Sequence, residues 1–301
     1  MVVSKNASNY LAYLLIVTAM LFWGMSYIWI KIAYEFLGPL STVFLRLFFS
    51  LLLILIIALI FGIRILPHKE DIPAFMLLAF FEPFAYFMDE SLGLQRVTSS
   101  VASIMIGTIP LFIPLFAFLI LKDKITRNNI IGLFISFIGL LVLILKKDLS
   151  FQASPSGILL MLVAVFAGAL YTIQLKKLAT KYKVGTIIIN MQIFGLIYFA
   201  PFFLYYEWND FIHTEITMKL IVAIAQLVVF ASLGALYFFI YSVDKIGVTR
   251  TSLFTNLIPV VTVIAAWIAL PNEEVNLKLI IGIVIILTGV YIGNYAKKEK
   301  T

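Results

Sequence analysis

The 301-residue chain has no cysteine. That excludes disulfides, thiol catalysis and thiolate-held metals. Histidine is nearly as scarce, since only His68 and His213 occur and both fall between apolar stretches. Neither HExxH nor GxSxG is present, so no enzyme is read from the sequence, and no cofactor or metal is expected. Charge is thin as well. Only 12% of residues are charged, about half of what soluble domains carry. In their place stand 63% hydrophobic residues and a mean hydropathy of +1.09, the composition of an integral membrane protein. The net charge of +7 would suggest a nucleic-acid partner in a soluble chain. Here the basic residues lie in short loops between apolar runs, so the expected partner is the lipid bilayer, with no nucleic acid.

A helix needs roughly 20 apolar residues to cross the hydrocarbon core. Ten such stretches are legible, at about 9–31, 39–63, 71–91, 97–121, 128–146, 156–176, 184–206, 217–242, 248–270 and 276–296. With the amino terminus inside, alternate loops divide Lys and Arg fifteen to six, and the remaining one of the 22 is Arg46, within the second stretch. The bias predicts a multi-pass protein of the cell membrane with both termini cytoplasmic.

The chain also repeats itself. FWGMSYIWIK (22–31) is answered by FAGALYTIQLKK (166–177), TIPLF (108–112) by LIPVV (257–261), and DKITRNNIIGLFISFIGLLVLI (123–144) by EEVNLKLIIGIVIILTGVYIGN (273–294). Gly132 and Gly139 fall on Gly282 and Gly289. A repeat with an odd number of spans must insert its copies upside down relative to each other, which is how many secondary transporters are built. The predicted fold is therefore an all-α membrane protein of ten transmembrane helices, arranged as two inverted five-helix repeats over 1–150 and 151–301.

Several positions together resemble the EamA-type ten-helix proteins of the drug/metabolite transporter superfamily. They are Trp23-Gly24 with Tyr27 and Lys31, the intramembrane Arg46, and Ala102-Ser103-Ile104 with Pro110. An acid three residues ahead of Thr or Asn before the last helix of each half also fits, as Asp123 and Glu273. The resemblance covers nearly the whole chain. It implies a small-molecule transporter, often an exporter of amino acids or other metabolites, without naming the substrate.

Charges at bilayer depth are functional candidates by default. Arg46 lies about seven residues into its span, ~11 Å deep, and Glu82 about eleven residues into the third, ~16 Å deep. Glu82 is followed by Pro83, which cannot donate to the helix ladder. Glu82 is the proton-coupling candidate or a partner for a substrate amine, with a hydrogen-bonded structural acid as the plainer reading. Asp89 and Glu90 are expected as solvated acids at the outer end of that span. The substrate-binding candidates are Arg46, Glu82, Trp23, Tyr27, Tyr86, Gln192, Tyr237 and Asn256. Gln192 stands where the repeat would put Arg46, and Tyr237 is matched to Tyr86 at an offset of 151. Gly132-xxx-Ser136 and Gly289-xxx-Gly293 are small-residue faces for packing within the bundle or for a homodimer seam.

The preferred function is an alternating-access carrier, with Arg46 meeting a carboxylate and Glu82 an amine or proton. A multidrug or cation efflux carrier, a passive channel and a non-transporting scaffold are the alternatives.

Overall fold

The computed structural model describes residues 5–63, 65–122, 125–144, 154–270 and 276–294. Among them the regular structure is entirely helical. Ten helical units follow in order: α1 Lys5–Ala33, α2 Pro39–Phe61, α3 Lys69–Leu94 and α4 Ser99–Ile120, and α5 Arg127–Ile144. The second half repeats the set as α6 Pro155–Ala179, α7 Val184–Tyr206, α8 Met218–Ile246 and α9 Arg250–Ala269, and α10 Leu277–Asn294. Eight of these are long and apolar enough to cross a membrane, and α5 and α10 are shorter apolar helices. Asp123 and Glu273 lie outside the described residues.

Local chemistry sets the ends. Pro39 opens α2 with a fixed φ, and Gly62 closes it in the left-handed region at φ 61°, where a Cβ would be strained. Thr98 and Thr217 cap α4 and α8 by accepting the backbone N–H three residues on, satisfying donors that each helix start leaves open.

The inversion is visible in which residues meet. Asn129 of α5 reaches the Gly293 carbonyl of α10, and Ser136 reaches that of Ile286. Numbers rise along one helix as they fall along the other, so these two repeat counterparts run antiparallel. The pair α2 and α7 behaves likewise, with Phe44 stacked on Phe203 at 4.2 Å and Ile63 beside Gly185. Two copies whose equivalent helices oppose each other are inverted copies.

The α5/α10 contact is a glycine seam. A Cβ on Gly132 would come within 2.4 Å of the Gly289 carbonyl oxygen, and one on Gly289 within 2.3 Å of Ser136 Oγ. In lipid, helices gain little by hiding apolar surface from one another, so close backbone approach carries the association.

The first helix of each half packs into the other half. Gly24 of α1 lies against Val261 of α9, and its repeat partner Gly168 of α6 lies against Ile109 of α4. Thr262 Oγ1 also donates to the Gly24 carbonyl at 2.9 Å. The halves are thus interleaved, and the space between α1, α2, α3, α6, α8 and α9 falls at the centre.

Polar contacts also tie the halves together at the two ends of the α2/α7 pair. At the start of α2, the Glu207 carboxylate from the far end of α7 accepts from Leu40 N (3.1 Å), Ser41 N (2.7 Å) and Ser41 Oγ (2.7 Å). Gly38 makes room for it, since a Cβ there would sit 2.3 Å from the carboxyl carbon. A carboxylate at a helix N-terminus also meets the positive end of the helix dipole. The segment before α7 makes the corresponding contact with Asp71, through Lys181 at 2.5 Å and the Tyr182 hydroxyl. Asp71 holds the Lys181 ammonium above its ordinary range. This second contact is more open to water, with the Lys181 side chain 51% exposed.

Candidate functional site

The site begins with a broken helix. In α3 the backbone at Glu82 is extended (φ −147°, ψ 122°) between helical neighbours. Pro83 has no N–H to give, so the ladder is interrupted there. Its ring is seated against Gly195 of α7, where a Cβ would come within 2.3 Å. The interruption aims the Glu82 side chain inward. After it, Tyr86 and Glu90 follow at helical spacing and present the same face.

α8 carries a repeat-related irregularity over Leu227–Ala235, wound as a π-helix and containing neither proline nor charge. Its wider turn leaves the Ala231 carbonyl available, and Trp23 Nε1 of α1 donates to it at 3.1 Å. Breaks of this kind at membrane depth are tolerated where the backbone lines a cavity or is buried in protein.

Between the two breaks lies a cavity of about 70 Å³, room for about five waters. Its walls include Trp23, Tyr27, Arg46, Glu82, Tyr86 and Glu90, with Tyr171 and Thr172 of α6 and Phe239 of α8. A side recess of about 20 Å³ is lined by Arg46, Glu82, Pro83, Gln192 and Ser232.

Arg46 is 4% exposed. Its Nε donates to Ser232 Oγ at 2.5 Å, and its guanidinium lies over the Phe87 ring at 4.2 Å. Two elements thus fix the charge in place while its Nη groups make no hydrogen bond to the described residues. Among those residues no carboxylate pairs with it. Glu82 likewise has neither a hydrogen bond nor an ion pair to a described residue. The cavity therefore holds an uncommitted cation and an uncommitted anion, an arrangement that folding alone does not favour, because buried charges are costly unless paired.

Glu90 corrects the sequence reading. It is not a solvated acid at a helix end; it is 5% exposed and lines the cavity. Tyr27 and Tyr86 both donate to its Oε1 at 2.8 Å. Lys31, one turn beyond Tyr27, donates to the carbonyls of Leu94 (2.6 Å) and Val97 (3.0 Å), filling acceptors that the end of α3 leaves open. Tyr34 reaches the Ser91 carbonyl at 3.1 Å. One face of α1 thereby holds the last turns of α3 and positions Glu90. Asp89, on a different face, is only partly buried and does not line the cavity.

Of the sequence candidates, Trp23, Tyr27, Arg46, Glu82 and Tyr86 converge on the main cavity, and Gln192 on the recess. The Gln192 Oε1 is enclosed and has no partner. Tyr237 does not converge. It is 43% exposed on the outer surface of the bundle, while Leu236 and Phe239 face inward. Each helical residue turns the chain by about 100°, so the different breaks in α3 and α8 put an exact offset out of register beyond them. Asn256 sits beside the cavity, between the lining residues Thr255 and Ile258, and does not line it. Its buried Oδ1 is unpaired. Ser232, Phe87 and Glu90 were missed by the sequence reading. For Glu90 a signal was present, its spacing of four from Tyr86 and eight from Glu82.

The profile of the EamA-like transporter family matches this chain twice, over residues 10–145 and 155–295. Two proteins of Archaeoglobus fulgidus, each described as an uncharacterized transporter, are similar along nearly their whole length. One is 31% identical over 272 residues, covering 90% of this chain and 94% of the relative. The other is 29% identical over 288 residues, covering 94% and 97%. The uncharacterized transporter YetK of Bacillus subtilis is 25% identical over 234 residues, covering 77% of this chain and 70% of YetK. A solved crystal structure superposes with a TM-score of 0.69 at 15% identity, covering 96% of both chains, which bears on the fold alone. Two family repeats on a ten-helix membrane fold, interleaved around a charged cavity, make this chain a membrane transporter that belongs to the EamA-like transporter family.

Proposed function

We propose that the chain is a secondary transporter that exports a small zwitterionic metabolite, such as an amino acid, by alternating access. The observation that carries this reading is that Arg46 and Glu82, which form no ion pair with a described residue, face one central cavity. Arg46 takes the substrate carboxylate, in the bidentate geometry that a guanidinium favours. Glu82 takes the amine, or a coupling proton when the amine is absent. Both groups rise from first-half helices, while the second half contributes the Ser232 hydroxyl and the Gln192 amide.

The two end contacts supply the gates. Glu207 ties the far end of α7 to the start of α2, and Asp71 ties the start of α3 to the segment before α7, so the two contacts join the halves at opposite ends of the α2/α7 pair. Releasing one while the other holds gives access from one side at a time, the behaviour expected of inverted repeats rocking about a fixed site. The charge bias of the loops supports a cell-membrane location with both termini cytoplasmic, and puts Glu207 at the outer gate and Asp71 at the inner one. No catalytic role is part of this reading. The glycine seam packs α5 and α10 against each other within the chain.

Counterflow in proteoliposomes with labelled amino acids tests the reading. External substrate is expected to speed the exit of labelled internal substrate, which a passive channel would not do. Glu82→Gln is expected to slow it about tenfold, the loss of one charge-assisted hydrogen bond of about 1.5–3 kcal/mol. Unchanged rate and unchanged pH dependence would remove Glu82 from the mechanism. Efflux of organic cations is the second reading, favoured by the aromatic walls; it predicts transport that Arg46→Ala leaves intact.

A further inference from the structure

Arg46 and Glu82 balance each other, and Glu90 is then one charge too many. It faces the same cavity, and its only described partners are the two tyrosine hydroxyls on Oε1. Its Oε2 is bonded to no described residue. Among the lining residues the ionisable groups are Arg46 of α2, Glu82, Tyr86 and Glu90 of α3, Tyr27 of α1 and Tyr171 of α6, while α8 and α9 contribute none. Two carboxylates thus face one guanidinium in an enclosure that screens poorly. Left unmet, the surplus carboxyl takes up a proton, and an incoming ammonium can replace that proton.

We propose that the cavity accepts a load of one net positive charge, and that the transported molecule is a diamino monocarboxylic acid. Its carboxylate goes to Arg46, one ammonium goes to Glu82, and the second goes to Glu90 between the Tyr27 and Tyr86 rings. This rests on the export reading above and specifies its substrate class. Glu82 and Glu90 are eight residues apart on α3, and Tyr86, midway between them, lines the same wall, so an extended diamine chain lies along the helix face. The aromatic sides favour a cation over a neutral tail. A monoamine would pair Arg46 and Glu82 and leave Glu90 unmet. An organic cation without a carboxylate would leave Arg46 unmet.

The test is counterflow of labelled L-lysine, L-leucine and cadaverine in the same proteoliposomes, with wild type, Glu90→Gln and Tyr86→Phe. L-lysine is expected to exceed both others at least tenfold in wild type. Glu90→Gln keeps a hydrogen-bond acceptor for the tyrosines and removes only charge, so the lysine-to-leucine ratio is expected to fall at least tenfold. Tyr86→Phe keeps the charge but removes one of the two hydroxyls that hold Glu90, and is expected to lower the ratio less than Glu90→Gln does. Thermal unfolding of purified Glu90→Gln provides the folding control, with a midpoint expected at or above that of wild type. Leucine moved as well as lysine, or a ratio indifferent to Glu90→Gln in folded protein, overturns the charge-excess proposal and leaves the zwitterion reading standing. Cadaverine moved as well as lysine overturns the diamino-acid assignment and the zwitterion reading together. Transport of none of the three removes both.

Discussion

α3 and α8 occupy the same place in the two repeats and are broken in the same region, but by different means. α3 is interrupted by a proline and turns a carboxylate inward, with Glu82 in extended backbone. α8 keeps winding through a widened turn and offers a carbonyl and a hydroxyl, Ala231 to Trp23 and Ser232 to Arg46. The shared feature is mechanical, since both helices yield at the level of the cavity. The chemistry is unshared. One break presents charge, and the other orients the opposing charge. Duplication thus supplied a symmetric frame, and divergence of the two breaks supplied a polar site.

That contrast is broken most severely at Arg46, where the two sides meet. Arg46→Ala leaves two buried carboxylates with no cation, and removing one partner of a buried charge set costs about 3–5 kcal/mol. Counterflow is expected to fall by about a hundredfold or more, the kinetic equivalent of the lower end of that range.

Ser232→Ala tests the α8 side alone. It frees the Arg46 Nε, a charge-assisted bond of about 1.5–3 kcal/mol, and is expected to slow counterflow about tenfold. The defect should show mainly as weaker substrate affinity, because the guanidinium is still present but less fixed. An unchanged rate would make the α8 break purely mechanical.

The smallest effects belong to the two end contacts proposed as gates, and they too are unequal. The chain has no cysteine, so Thr172→Cys in the cavity wall gives a single label site for an impermeant maleimide. Glu207→Gln weakens a carboxylate that holds three donors at a helix start, and labelling from outside is expected to rise about fivefold. Asp71→Asn breaks a water-exposed contact, and labelling from inside is expected to rise no more than about twofold, because exposed ion pairs contribute little. Equal effects would mean that the two gates share the load despite their different surroundings.

The scaffold was largely legible from sequence because it rests on local and repeated signals. Long apolar runs marked the helices, the Gly132-xxx-Ser136 and Gly289-xxx-Gly293 faces marked close helix packing without saying between which helices, and the doubled motifs marked the inversion. Arg46, Glu82 and Pro83 were legible too, because charge or proline in an apolar run stands out without neighbours. Glu90 was not, since an acid near a helix end reads as solvated unless another helix covers it, and that cover comes from Tyr27 and the rest of the α1 face. Tyr237 failed for the converse reason. Its number matched Tyr86 across the repeat, but on α8 it is turned outward.

By itself, then, the sequence determined an all-α membrane protein of ten apolar helices in two opposed copies, because hydropathy and repeats can be read without knowing which helices touch. Only the tertiary structure decided that α1 and α6 exchange halves, that Ser232 and Phe87 fix Arg46, and that Glu90 joins Glu82 in one cavity. Those outcomes depend on which helix faces meet, and one residue's difference in register at a break, about 100° of turn, is enough to change them.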